Sequence, residues 1–335
     1  MTTSGITSRL PVQLYIESTN RCNLKCRGCI HFKGHWESAR DVSLEELRRI
    51  TDQLPDLQRV VLHGIGEPLL NRQLPAMIGH LKGRGVRVVI NSNGILLDAG
   101  MRRALGDSGL DELRISLDAA TPQGYRQMRG SDQFQRIVAN LRALKALQAD
   151  LQMTGPAVSL WFLGTRDNIA ELPQFVRLAA DMQIAEVYLQ RLVYFQDDPG
   201  YGVAVAQKSL QESEPRFLDL VQESRTLAGR LGIRFNASGL CRPEESLRVE
   251  CSEERPWRKC FRYHQLMYIT AWGNVLPCCI SPFATADYAS LIMGNVFETP
   301  LEEIWTGERY ARFRNAHAGS TPPKCCRGCG VLWSL

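Results

Sequence analysis

The eleven cysteines constrain this chain most, and their distribution matters more than their number. Cys22, Cys26 and Cys29 lie close together, a stretch of more than two hundred residues then holds none, and eight follow from Cys241 onward. Disulfides persist in oxidising compartments, and the opening MTTSGITSRLPVQLYIEST lacks the apolar core of a secretion signal. Thiols set this closely therefore read as metal ligands. The expectation is a cytoplasmic protein with two separate thiol clusters.

At 335 residues the chain is long enough for one large domain and a smaller one. Its 44% hydrophobic and 22% charged residues are those of a globular protein. The net charge of +5 is spread without a basic block, so no nucleic-acid partner is expected, and an anionic substrate or cofactor fits. No apolar run is long enough to cross a bilayer, so no membrane partner is expected either.

The first two thirds alternate β-rich runs with helical patterns, the signature of parallel βαβ units. Strands are predicted at Val12–Glu17, Arg59–Leu62, Arg87–Ile90, Glu112–Ile115, Ala157–Phe162 and Glu186–Leu189. Helical stretches lie near Ser43–Leu54, Gln73–Lys82, Asp98–Gly106, Asp132–Leu147 and Asn168–Met182. Ser43 and Glu46 form a capping box that starts the first helix. The unusual residues directly follow the strands: the cysteine triad, then Gly64-Ile65-Gly66-Glu67-Pro68, Asn91-Ser92-Asn93-Gly94, Ser116-Leu117-Asp118 and Gln190-Arg191. In a parallel α/β barrel the C-terminal strand ends share one face, so these segments are expected to converge. The fold class is α/β, a partial (β/α)6 TIM-like barrel with a small C-terminal cysteine-rich domain. The boundary is expected near Asn236, giving domains 1–236 and 237–335.

The triad offers three thiolates on a tight loop, whereas a closed 4Fe-4S cluster takes four cysteines. One iron would stay open, and an open position is what a catalytic metal centre needs. Three close cysteines also suit a structural zinc site. In the tail, four ligands can be drawn from Cys260, Cys278, Cys325, Cys326 and Cys329, with a hairpin predicted over Met267–Ala271 and Val275–Leu276. A zinc ribbon and an iron-sulfur cluster both use four thiolates.

CxxxCxxC directly after a first strand resembles the radical S-adenosylmethionine (SAM) superfamily. The resemblance implies that Cys22, Cys26 and Cys29 hold a 4Fe-4S cluster whose open iron binds SAM, and that its reductive cleavage gives a 5'-deoxyadenosyl radical that removes a hydrogen atom from substrate. Gly64, Gly66 and Glu67 resemble the GGE-type motif that accepts hydrogen bonds from the SAM ammonium, which has only donors. Ser116 resembles a position that meets the SAM ribose or carboxylate. Arg129 offers a guanidinium fork to a carboxylate. Asn91 and Asn93 fall where the family lines the adenosine pocket, with Gln190 or Arg191 closing it. One departure is Gly28, where the family often has an aromatic residue.

The tail resembles the SPASM or twitch extensions of that superfamily, which implies one auxiliary 4Fe-4S cluster on Cys260, Cys278, Cys326 and Cys329. The doublets Cys278-Cys279 and Cys325-Cys326 leave each choice open by one residue. With both clusters the resemblance implies oxidation of the substrate, a small-molecule dehydrogenase being favoured, supplied by a flavodoxin- or ferredoxin-type electron donor. The alternatives are an epimerase, with Cys241 or Cys251 as hydrogen donor, and a maturase whose peptide arrives with a separate partner. From another class stands a non-catalytic electron carrier or zinc-binding adaptor, against which the SAM-type motifs argue.

Overall fold

The computed structural model describes residues 10–33, 37–193, 203–210, 215–238, 242–244, 257, 260–284 and 288–327. One ten-stranded sheet runs through them: β1 (Gln13–Ile16), β2 (Arg59–Leu62), β3 (Arg87–Ser92), β4 (Glu112–Ser116), β5 (Ala157–Gly164), β6 (Glu186–Arg191), β7 (Arg234–Ala237), β8 (Leu266–Ile269), β9 (Asn274–Leu276) and β10 (Gly294–Asn295). Strands β1 to β7 are parallel and adjacent in chain order. All six predicted strands are present.

The crossovers carry α1 (Ile30–Lys33), α2 (Leu44–Thr51), α3 (Leu74–Gly83), α4 (Ala99–Asp107), α5 (Pro122–Arg129), α6 (Phe134–Asp150), α7 (Leu172–Asp181) and α8 (Pro215–Arg230). Local chemistry sets their starts. The Ser43 hydroxyl accepts from the Glu46 N–H while the Glu46 carboxylate accepts from the Ser43 N–H, the predicted capping box. Asp98 caps α4 and Thr121 caps α5. Helix α5 ends at Gly130, whose φ of 65° is left-handed and suits glycine.

Strand alternation sorts the side chains into two faces. Leu14, Val60 and Val88 lie side by side in the register, as do Leu62, Ile90, Leu113 and Val158, all buried in the main core. The opposite face carries Tyr15, Asn91, Arg114, Ser116, Trp161 and Tyr188, none of them fully buried. There the Trp161 and Tyr188 rings stack at 4.0 Å, with the Arg114 guanidinium 4.7 Å above Trp161. Ile30 beyond β1 packs with Leu192 beyond β6 and with Ala204, and Cys29, Ile65, Leu163 and Phe283 pack against them. Segments that follow four different strands thus meet at one end, as the barrel prediction requires.

The tail does not stand apart. Its hairpin, β8 and β9, joins the sheet through β8, which pairs in parallel with β1 from Gln13–Leu266 to Ile16–Ile269. The tail thus extends the core's own sheet beyond β1. Strand β7, which the sequence pattern does not announce, forms the opposite edge. Among the described residues no helix is long and apolar enough to cross a membrane.

Candidate functional site

The cysteine loop leaves β1 through Glu17, Ser18, Thr19 and Asn20, all buried. Cys26 is buried and Cys22 and Cys29 are partly so, and the Cys29 N–H bonds the Cys26 carbonyl at 3.1 Å. Burial pushes the Cys22 thiol up to about 12 and the Cys29 thiol up to about 11, with neighbouring thiols adding to both. A dry pocket that resists free thiolates suits thiolates bound to iron, whose positive charge replaces the lost water. Among the described residues no three His, Cys, Asp or Glu side chains gather as around a single metal ion. A 4Fe-4S cluster makes no such demand, because each cysteine holds its own iron. The donor set fits the cluster.

Arg129, at the end of α5, donates from Nη1 to the Cys26 sulfur at 3.4 Å. Its Nη2 lies 2.5 Å from the Asp118 carboxylate, so the arginine expected to meet a ligand's carboxylate already has a protein carboxylate as partner. Burial opposes its charge, but Asp118, Cys26 and Tyr125 together outweigh burial and hold the guanidinium firmly protonated. Its Nε is buried without a hydrogen-bond partner, one donor left over for a ligand. Asp118 sits just beyond β4 at a φ of 61° and accepts from the Leu163 N–H at 2.8 Å. Burial raises its pKa, against the pull of Arg129.

Glu67 is 2% exposed. Its carboxylate accepts from the Leu69 N–H at 3.1 Å, the Ser92 hydroxyl at 2.8 Å and the Asn93 N–H at 2.7 Å. Those bonds stitch the segment after β2 to the segment after β3. Burial lifts Glu67 to about 7, and the Asn93 and Ser92 bonds hold it from rising further. The two glycines of the motif are needed for close approach to the cysteine loop. A Cβ on Gly64 would lie 1.8 Å from the Glu17 Cγ, and one on Gly66 would lie 2.1 Å from the Thr19 carbonyl oxygen. The Glu67 N–H bonds the Arg21 carbonyl at 2.8 Å.

Asn93 donates to the Asn23 side chain inside the cysteine loop at 2.7 Å. Asn91 faces the inner side of the sheet, and its buried Oδ1 has no partner. Ser116 ends β4 beside Trp161, and Gln190 and Arg191 end β6 beside Leu163 and Gly164. Gly64, Gly66, Glu67, Asn93 and Arg129 are thus directly joined to the cysteine loop. Asn91, Ser116 and Gln190 line the sheet further in. An orphan acceptor on Asn91 and an orphan donor on Arg129 suit a ligand carrying both donor and acceptor groups, as SAM does.

Glu17 carries no sequence mark beyond its place at the end of a strand. It is 1% exposed, and its carboxylate accepts from the Ile65 N–H at 2.6 Å, the Tyr268 hydroxyl at 2.9 Å and the Ala271 N–H at 3.1 Å. Burial lifts it to about 7 against those three donors. A charged residue closing the apolar run Leu14–Ile16 is that mark.

In the tail, Cys260, Cys278, Cys279 and Cys326 are partly buried and Cys325 is buried. Burial raises the Cys260 thiol, and nearby Cys279 and Cys325 raise it further. Cys278 meets the Ser281 hydroxyl at 3.1 Å, and the Cys325 and Cys326 sulfurs lie 3.9 Å apart. Cys241, Cys251 and Cys329 lie outside the described residues.

Residues 16–179 match the model of the Radical SAM superfamily, and residues 260–330 match SPASM, an iron-sulfur cluster-binding domain. The chain is 24% identical over 325 residues to the tungsten-containing aldehyde ferredoxin oxidoreductase cofactor-modifying protein of Pyrococcus furiosus, covering 93% of this chain and 85% of that one. It is 23% identical to the PqqA peptide cyclase of Xanthomonas axonopodis pv. citri, covering 95% and 80%. Among solved structures, Streptococcus suis SuiB bound to S-adenosylmethionine has the same fold, with a TM-score of 0.69, 18% identity and coverage of 91% and 68%. The chain belongs to the radical SAM superfamily, with SAM and a 4Fe-4S cluster as cofactors and an iron-sulfur-binding SPASM domain in its tail.

Proposed function

We propose that this radical SAM enzyme oxidises its substrate, using an auxiliary 4Fe-4S cluster in the tail as electron acceptor. The bound groups supply hydrogen-atom removal by a SAM-derived radical and uptake of the remaining electron. Cys22, Cys26 and Cys29 would hold the SAM cluster, and Cys260, Cys278, Cys326 and Cys329 the auxiliary one. Glu67, Gly64 and Gly66 would shape the wall at the SAM ammonium, Arg129 and Ser116 the carboxylate side, and Asn91, Asn93 and Gln190 the adenosine side. The observation that carries the reading is the pairing of β8 with β1, which joins the segments carrying both thiol groups through one sheet.

We take the substrate to be a small molecule that reaches the inner face of the sheet, and the reductant to be a flavodoxin- or ferredoxin-type protein. The close-set thiols of this chain, as cluster ligands, suit a reducing cytoplasm. The division into 1–236 and 237–335 remains our reading of the two parts. Similarity to a PqqA peptide cyclase favours a second reading, in which the substrate is a peptide brought by a partner. Both predict a product lighter by two hydrogens.

Anaerobic reconstitution with iron and sulfide tests the two-cluster assignment. The wild type should bind about eight irons per chain, and the Cys22→Ala/Cys26→Ala/Cys29→Ala variant about four. SAM should perturb the electron paramagnetic resonance (EPR) signal of the wild type only. Zinc in place of the second four irons would refute the auxiliary cluster.

A further inference from the structure

We propose that the tail hairpin positions the SAM site through Glu17 and Glu37, two carboxylates that flank the cysteine triad and both bind that hairpin. The inference rests on the radical SAM reading and adds a task for the tail that is separate from accepting electrons.

Glu17 stands where three segments meet. Its own N–H bonds the Ile269 carbonyl at 2.9 Å, continuing the ladder between β1 and β8. Its carboxylate takes the Tyr268 hydroxyl and the Ala271 N–H from the hairpin, and the Ile65 N–H from the segment after β2. Gly64 packs so tightly on its side chain that no Cβ fits between. The hairpin therefore fixes a carboxylate, and the carboxylate fixes Gly64 and Ile65.

Glu37 does the same beyond the triad. Its Oε1 accepts from the Asn274 amide at 2.7 Å, the Tyr288 hydroxyl at 2.9 Å and the Thr270 hydroxyl at 3.2 Å. The adjoining residues are held by the same hairpin and by Phe297 beyond β10: the Trp272 indole donates to the Ser38 carbonyl at 2.8 Å, and the Arg40 guanidinium lies 4.9 Å from the Trp272 ring and 4.8 Å from the Phe297 ring. That segment returns to the start of the loop, where the Asn20 amide donates to the Ser38 carbonyl at 2.7 Å and accepts from the Arg40 N–H at 2.7 Å. The cysteine loop is therefore anchored on both sides, and each anchor has a carboxylate aimed at the tail. Hydrogen bonds to a carboxylate are the stronger kind, and a buried one holds its geometry.

Tyr268→Phe removes one hydroxyl and keeps the ring. Glu37→Gln alters the second anchor independently. Both full-length variants, reconstituted anaerobically, are compared with wild type for SAM binding by equilibrium dialysis, for the EPR spectrum of the reduced protein with SAM, and for iron content. We expect Tyr268→Phe to weaken SAM binding about tenfold, Glu37→Gln to weaken it several-fold, and both spectra to shift, with iron content unchanged. SAM affinity and spectra within about twofold of wild type in both variants would overturn the inference alone. A reconstituted wild type that fails to bind SAM would overturn the radical SAM reading and this inference together.

Discussion

The Arg129 guanidinium bridges a carboxylate and a thiol, lying 2.5 Å from Asp118 and 3.4 Å from the Cys26 sulfur. Asp118 is itself held by the Leu163 N–H, so the bridge ties the ends of β4, β5 and α5 to the cysteine loop. Replacing Arg129 with Ala would leave Asp118 buried without its counter-charge. Breaking a buried pair in this way costs roughly 3–5 kcal/mol. Urea denaturation of Arg129→Ala should show a midpoint lowered accordingly. Asp118→Asn/Arg129→Met, which removes both charges, should recover most of the loss.

The two motif glycines differ in what opposes a methyl group. At Gly66 the obstacle is the backbone oxygen of Thr19 at 2.1 Å, and at Gly64 it is the Glu17 side chain at 1.8 Å. Gly66→Ala should therefore displace the cysteine loop itself, and Gly64→Ala should displace Glu17. Each should cost about 1–3 kcal/mol of stability. SAM affinity by dialysis should fall more in Gly66→Ala, because the backbone there cannot rotate aside.

Glu17 and Glu67 both sit near 7, above their ordinary value of 4.5, because burial disfavours the charged form. The folded state then holds these protons more tightly than the unfolded state. Their contribution is complete below pH 4.5 and is lost as the pH rises through about 7. Each shift corresponds to roughly 3 kcal/mol across that window. Urea midpoints taken between about pH 6 and pH 8 should fall with rising pH in the wild type. The fall should be shallower in Glu17→Gln, and an unchanged slope would show that Glu17 does not titrate there.

Much of this molecule is legible in its sequence. The six core strands lie where alternation and β-branched runs place them, since buried parallel strands leave an apolar signature. The capping box at Ser43 is local chemistry and reads directly. The site motifs are legible for a similar reason: Cys22 and Gly64 follow strands and Asn91 lies near the end of one, and parallel connection brings those ends together. Strand β7 is short and polar at an edge, which leaves little pattern. The union of β8 with β1 depends on contacts more than two hundred residues apart, which no local pattern records. Asp118 and Glu17 are visible in the sequence only as charged residues at strand ends; their partners lie far along the chain, and the fold reveals those.

Whether this chain makes the radical is decided by anaerobic reduction of the reconstituted protein with SAM, followed by chromatographic detection of 5'-deoxyadenosine. The wild type should yield 5'-deoxyadenosine and methionine, and Cys22→Ala, Cys26→Ala and Cys29→Ala should yield neither. SAM left intact by a reduced, iron-loaded wild type would show that the triad does not support radical chemistry.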